Sequence, residues 1–136
     1  YILDKVGITV GPEIKVILME ADEFHPFVQE ELMMPILPLV RVKDVDMAID
    51  MAVRVEHGFR HTAMMHSRNV DKLTKMAKLI QTTIFVKNGP SYAGIGVGGM
   101  GYTTFTIAGP TGEGLTSAKS FARKRRCVLV GGFDIR

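Results

Sequence analysis

The sequence predicts an α/β fold in which parallel strands alternate with crossover helices. Three observations carry that reading. Candidate strands and helices alternate between residues 36 and 87. Both helices there open on a side chain suited to capping. The strands beside them are apolar at consecutive positions, as strands covered on both faces must be. Strand–helix–strand spacing of this kind implies parallel pairing with right-handed crossovers.

Ile14-Lys15-Val16-Ile17-Leu18-Met19 is the first strand candidate, preceded by the turn formers Gly11 and Pro12. Residues 36–42 are the second, with Pro35 and Pro38 restricting its start and one edge. Asp44 is placed to cap a helix over residues 45–56. Val45, Ala48, Ile49, Ala52 and Val53 recur there at helical period, and Gly58 ends it. Residues 62–66 form a short strand. Asn69 caps the next helix, with Leu73, Met76, Ala77 and Ile80 inward and Lys72, Lys75 and Lys78 toward solvent. Residues 82–86 are a fourth, buried strand. A glycine-rich loop over 88–101 leads to a strand over 102–108, a helix over 115–124 and a short strand over 127–130. That last strand, Cys127-Val128-Leu129-Val130, is an aggregation hazard as a bare edge. It is expected to pair with something outside the unit, most simply a partner subunit. With no linker, repeat or low-complexity tract, residues 1–136 read as one unit.

Bulk composition narrows the class. The chain has 136 residues, 46% apolar and 23% charged, which suits a globular domain or part of one. No apolar run reaches the roughly 18 residues of a membrane helix. The opening Tyr1-Ile2-Leu3-Asp4-Lys5 is not a signal peptide, and the missing initiator Met reads as a processed or truncated product. The lone cysteine excludes an internal disulfide and fits a reducing compartment. Much of the +3 net charge comes from Lys119, Arg123, Lys124, Arg125 and Arg126. No nucleic-acid motif or aromatic interleaving accompanies them, so they read as a solvated helix end rather than a nucleic-acid patch.

Several motifs bear on chemistry. Residues 96–101 match G-x-G-x-x-G, yet a strand-forming run follows where a dinucleotide site needs a helix. The glycines there read as a tightly turned loop. Residues 109–114, Gly-Pro-Thr-Gly-Glu-Gly, leave a strand and enter a helix, where backbone N–H groups suit an anion; a plain capped turn fits equally. Glu30-Glu31 is a carboxylate pair whose members point apart on an extended chain. His61 and His66 fall on opposite faces of a strand and do not make a metal pair. His25 and His57 have no partner arguable from sequence. Cys127 lies in an apolar strand and is expected to be an inert core thiol despite Arg125 and Arg126 beside it.

Several blocks together resemble one family. Glu31-Leu32-Met33-Met34-Pro35-Ile36-Leu37-Pro38, then residues 45–49 and Gly58, are similar to the Glu-x-x-x-Pro strand, helix and glycine of the aldehyde dehydrogenase superfamily. Residues 61–67, Phe85-Val86-Lys87-Asn88-Gly89-Pro90 and the run 102–117 resemble its CoA-acylating branch, the acetaldehyde and propionaldehyde dehydrogenases of ethanolamine and propanediol utilisation. The resemblance spans nearly the whole chain. It implies a catalytic-domain portion with a C-terminal oligomerisation strand, from an enzyme that makes acyl-CoA and NADH from an aldehyde, CoA and NAD through a cysteine thioester. It implies that the nucleophilic cysteine and the Rossmann domain lie upstream, that Cys127 is not the nucleophile, and that the isolated chain is inactive. It matches Glu31 to the glutamate that hydrogen-bonds the nicotinamide ribose. Met33 replaces an aromatic of the non-acylating members, and Met100 stands where an acidic residue is expected. A homo-oligomer is implied, in the cytoplasm or a bacterial microcompartment lumen, with no metal, nucleic-acid or membrane partner. The alternative reading is a stand-alone α/β module that binds a nucleotide or anion, or serves assembly, without catalysis.

Overall fold

The computed structural model describes residues 1–101, 117–128, 130 and 131. The chain divides into two compact units, Tyr1–Arg60 with Ser67–Gln81, and His61–His66 with Thr82–Arg136.

The first unit holds α1 (Ile2–Lys5), β1 (Ile17–Glu20), α2 (Pro26–Gln29), β2 (Ile36–Leu39), α3 (Val45–Val55) and α4 (Val70–Ile80). β1 and β2 pair in parallel, from Ile17 opposite Ile36 to Glu20 opposite Leu39. The expected first strand starts later than its apolar run because pairing sets its start. Ile17 N–H donates to the Pro35 carbonyl at 2.9 Å, and Ala21 N–H to that of Leu39 at 3.0 Å. Parallel strands cannot be joined by a tight turn. Residues 21–35 therefore make a crossover, with α2 inside it. The expectation that the second strand is covered on both faces does not hold. Leu18 and Leu37 remain 65% and 56% exposed, because two strands with one short helix against them cannot close both faces.

Both longer helices begin where capping chemistry places them. Asp44 Oδ1 accepts from Met47 N–H at 2.9 Å, and Asn69 Oδ1 from Lys72 N–H at 3.0 Å. α3 ends in a left-handed pair, His57 (φ 55°) and Gly58 (φ 79°). α4 ends on a left-handed Gln81. α3 and α4 pack together, and Ile49, Leu73, Met76 and Ile80 are buried, Ile49 to 2%. Ala77, expected inward, is exposed at the margin of that stripe.

Lys72 and Lys75, expected to face solvent, reach across to α3 instead. The Lys72 ammonium donates to Asp46 at 2.6 and 2.8 Å, and Lys75 at 2.9 Å. Both aliphatic stems span the helix pair while their heads meet one carboxylate. The hydrogen bond from Lys72, then that from Lys75, holds the Asp46 carboxyl down to about 2.

The second unit pairs β3 (Thr62–Met65) with β4 (Ile84–Lys87), again in parallel. Ile84 and Val86 are buried. A 3₁₀ helix, Ser91–Ile95, packs on β4. Gly94 lies so close to Ile84 that a Cβ there would overlap its branched methyl.

Of the helix expected over 115–124, the described part is one 3₁₀ turn, Ala118–Phe121, closed by a Ser117–Ser120 capping box. Residues 123–128 are not helical. Like charges such as Lys119 and Arg123 disfavour helix at this spacing. The strand expected over 127–130 is not formed at Cys127, Val128 or Val130. The expected strand over 102–108 and loop over 109–114 lie outside the described residues. Among the described residues, no helix is long and apolar enough to cross a membrane.

Two outcomes follow from this packing. Asp46 has a folded pKa below its ordinary 3.8, so its stabilisation is present above that value and is lost as pH falls toward about 2. Urea unfolding at stepped pH should show Asp46→Asn less stable than the parent at pH 6, with the gap closing between about pH 4 and 2. A gap independent of pH would refute the assignment. Gly94→Ala should lower stability by about 1–3 kcal/mol in the same assay, through overlap with Ile84.

Candidate cofactor-contact site

The crossover between β1 and β2 is built by a run of local hydrogen bonds. Asp22 opens it: Oδ1 accepts from Phe24 N–H at 2.8 Å, and its carbonyl from His25 N–H at 3.2 Å. His25 caps α2, its Nδ1 accepting from Phe27 N–H at 3.1 Å. The cap therefore requires the Nδ1-unprotonated ring. Pro26 follows at the first helical position, where its fixed φ is already helical. The Gln29 amide donates back to the Glu23 carbonyl at 2.6 Å. Glu30 N–H donates to the Pro26 carbonyl at 2.9 Å, and its extended backbone ends the helix.

Glu31 comes next, exposed, at the start of the segment 31–35 that leads into β2. Met33 bends that segment through the left-handed region (φ 50°) and is 89% exposed. Pro35 fixes its far end through the bond from Ile17. Glu31 thus sits on a short bridge tied down at both ends.

Glu23 links this crossover to α3. Arg54 donates from Nε to Oε1 at 2.8 Å and from Nη2 to Oε2 at 2.9 Å, a bidentate grip. That hydrogen bond lowers the Glu23 pKa and raises that of Arg54. Glu20 and Arg41 pair at 2.8 Å beyond the carboxyl ends of β1 and β2. A cleft of about 600 Å³ opens there, lined by Glu20, Asp22, Glu23, His25, Arg41 and Met51 among others. Clefts outside the carboxyl ends of strands are the usual ligand positions of parallel sheets.

The other candidates separate from this site. His61 and His66 flank β3, and among the described residues no three His, Cys, Asp or Glu side chains gather as a metal site. The glycines of 96–101 follow a 3₁₀ helix, not a strand. Gly96 (φ 100°) and Gly98 (φ 72°) are left-handed, and Gly99 and Gly101 press on the backbone of Ala93 and Gly94. That is a turned loop held by close backbone approach. Cys127 is exposed, which corrects its expected place in a core: neither it nor Val128 lies in a strand. The crossover's bonds were not legible in the sequence, although the His25-Pro26 pair, a capping side chain before a proline, was a usable signal.

The aldehyde dehydrogenase family model matches residues 4–118. The chain belongs to the aldehyde dehydrogenase family. The propanal dehydrogenase (CoA-propanoylating) of Salmonella typhimurium is 58% identical over 137 residues, covering 98% of this chain and 29% of the relative. The chain therefore spans under a third of the curated relatives it matches. The crystal structure of Rhodopseudomonas palustris propionaldehyde dehydrogenase with bound propionyl-CoA is 76% identical, with a TM-score of 0.84 over 93% of this chain and 28% of that one. A propionaldehyde dehydrogenase from the Clostridium phytofermentans fucose utilisation bacterial microcompartment is 56% identical, with a TM-score of 0.83 over 93% of this chain and 29% of its own. The family's α/β fold and the CoA-acylating resemblance are both borne out.

The exposure of Cys127 has a direct check. In the 136-residue chain, one thiol should react with Ellman's reagent without denaturant, at a rate denaturant barely changes. A thiol that reacts only after unfolding would show that the terminal segment buries it.

Proposed function

We propose that this chain is a C-terminal catalytic-domain portion of an NAD-dependent, CoA-acylating aldehyde dehydrogenase, which turns a short-chain aldehyde and CoA into acyl-CoA and NADH. The carrying observation is the placement of Glu31: an exposed carboxylate on a bridge fixed at both ends, in a chain of this family. Its relatives' names supply the aldehyde class and the acyl acceptor.

The donor set fits the cofactor. Two carboxylate oxygens can each accept from one of two neighbouring ribose hydroxyls, as charge-assisted bonds. In this reading Glu31 holds the nicotinamide ribose, and the bound nicotinamide supplies the hydride acceptor. The turn at Met33 carries the chain from Glu31 into β2. Cys127 takes no part. The thioester-forming cysteine and the Rossmann domain belong to the upstream remainder of the polypeptide, consistent with the 29% coverage of the relative. The segment after residue 126 serves assembly of a homo-oligomer, in the cytoplasm or a microcompartment lumen. Residues 1–136 act as one piece of that larger protein.

The test is the full-length polypeptide with propanal, CoA and NAD, following NADH by absorbance and propanoyl-CoA by mass. Both products should form in equal amounts, and the 136-residue chain alone should form neither. Glu31→Gln in the full-length protein should weaken NAD binding about 10- to 100-fold, the range for losing hydrogen bonds to a charged group. Turnover by the 136-residue chain, or a full-length protein without NADH formation, would overturn the proposal.

A further inference from the structure

The Glu31 bridge is short, but what steadies it lies further back. Between the end of β1 and Glu31 the chain is held mostly by its own bonds, and α2 has four residues. So short a helix is not stable by itself. It needs an anchor on a longer element. The described structure offers one side-chain anchor of good geometry: the two-bond grip of Arg54, in the last turn of α3, on the Glu23 carboxylate.

The grip passes to Glu31 through consecutive fixed steps. Glu23 offers its side chain to Arg54 and its carbonyl to the Gln29 amide. Gln29 ends α2. The next residue, Glu30, is bonded back to Pro26, and Glu31 follows directly. Glu23 is thus tied to α3 by its carboxylate and to the end of α2 by its backbone. A planar fork on a carboxylate fixes orientation as well as distance, which a lysine would not do.

We infer that Arg54 and Glu23 are positioning residues for Glu31, setting from α3 the place of the carboxylate that contacts the cofactor. The inference rests on the proposed role of Glu31. Neither residue touches the cofactor. Losing the pair frees the turn 22–30 and spreads Glu31 over positions from which it cannot meet both hydroxyls. Cofactor affinity falls, while affinity for CoA does not.

The test measures NAD and CoA dissociation constants of the full-length protein by calorimetry. Arg54→Met should weaken NAD binding on the order of tenfold, with CoA binding unchanged, as removal of an outer supporting partner does elsewhere. Glu23→Gln keeps the volume and removes the charge, so it tests the same link if Arg54→Met folds poorly. It should weaken NAD binding by a smaller factor. The exchange Glu23→Arg with Arg54→Glu should recover most of the loss. Lys75→Met removes the two ion pairs of Lys75 with Asp46 and Asp50, between α3 and α4 and away from the crossover, and should leave NAD binding unchanged. If Glu31→Gln weakens NAD binding while Arg54→Met and Glu23→Gln do not, the positioning inference is overturned and the role of Glu31 stands. If Glu31→Gln has no effect, the role of Glu31 fails and the inference falls with it.

Discussion

Parallel pairing is the constraint from which the site follows. β1 and β2 run the same way, so the chain must leave the carboxyl end of one and return to the amino end of the other. That return is the crossover over residues 21–35. It must be long enough to span the strands yet ordered enough to start β2 in register. Asp22, His25 and Gln29 supply the order locally, and Pro35 hands the chain to the ladder through Ile17. Glu31 lies within this obligatory path. A residue that must hold a ligand gains from standing where the backbone is fixed for another reason.

Charge pairing does the same work on the helices. α3 and α4 bury a narrow apolar stripe, and Asp46 joins them across its polar margin through Lys72 and Lys75. Arg54 uses the other end of α3 to hold the crossover. Among the described residues, α3 thus contacts two neighbours through four exposed or half-exposed ion pairs. Exposed pairs are worth little individually. Their value here is directional, fixing how each element lies on α3.

Much of this was legible in the sequence for simple reasons. Asp44 and Asn69 are capping residues just before apolar stripes at helical period, and both helices begin there. The strands were legible as short apolar runs, and their parallel pairing from the helices between them. Boundaries were less legible because β1 starts where Pro35 offers a carbonyl, which no local pattern encodes. Lys72 and Lys75 were misplaced because helical period gives a face, not the reach of a long side chain. Cys127 was misplaced because an apolar tetrapeptide makes a strand only when a neighbour offers its edge. For the site, the sequence singled out Glu31, but only by resemblance. The Glu23–Arg54 link joins residues far apart in the chain and leaves no periodic trace.

In the proposed function, the crossover presents Glu31 to the cofactor. The most direct measurement is a crystal structure of the full-length protein with NAD bound. Both Glu31 carboxylate oxygens should lie at about 2.5–2.8 Å from the nicotinamide ribose hydroxyls, with Arg54 still gripping Glu23. A ribose held by other residues, with Glu31 turned into solvent, would contradict it.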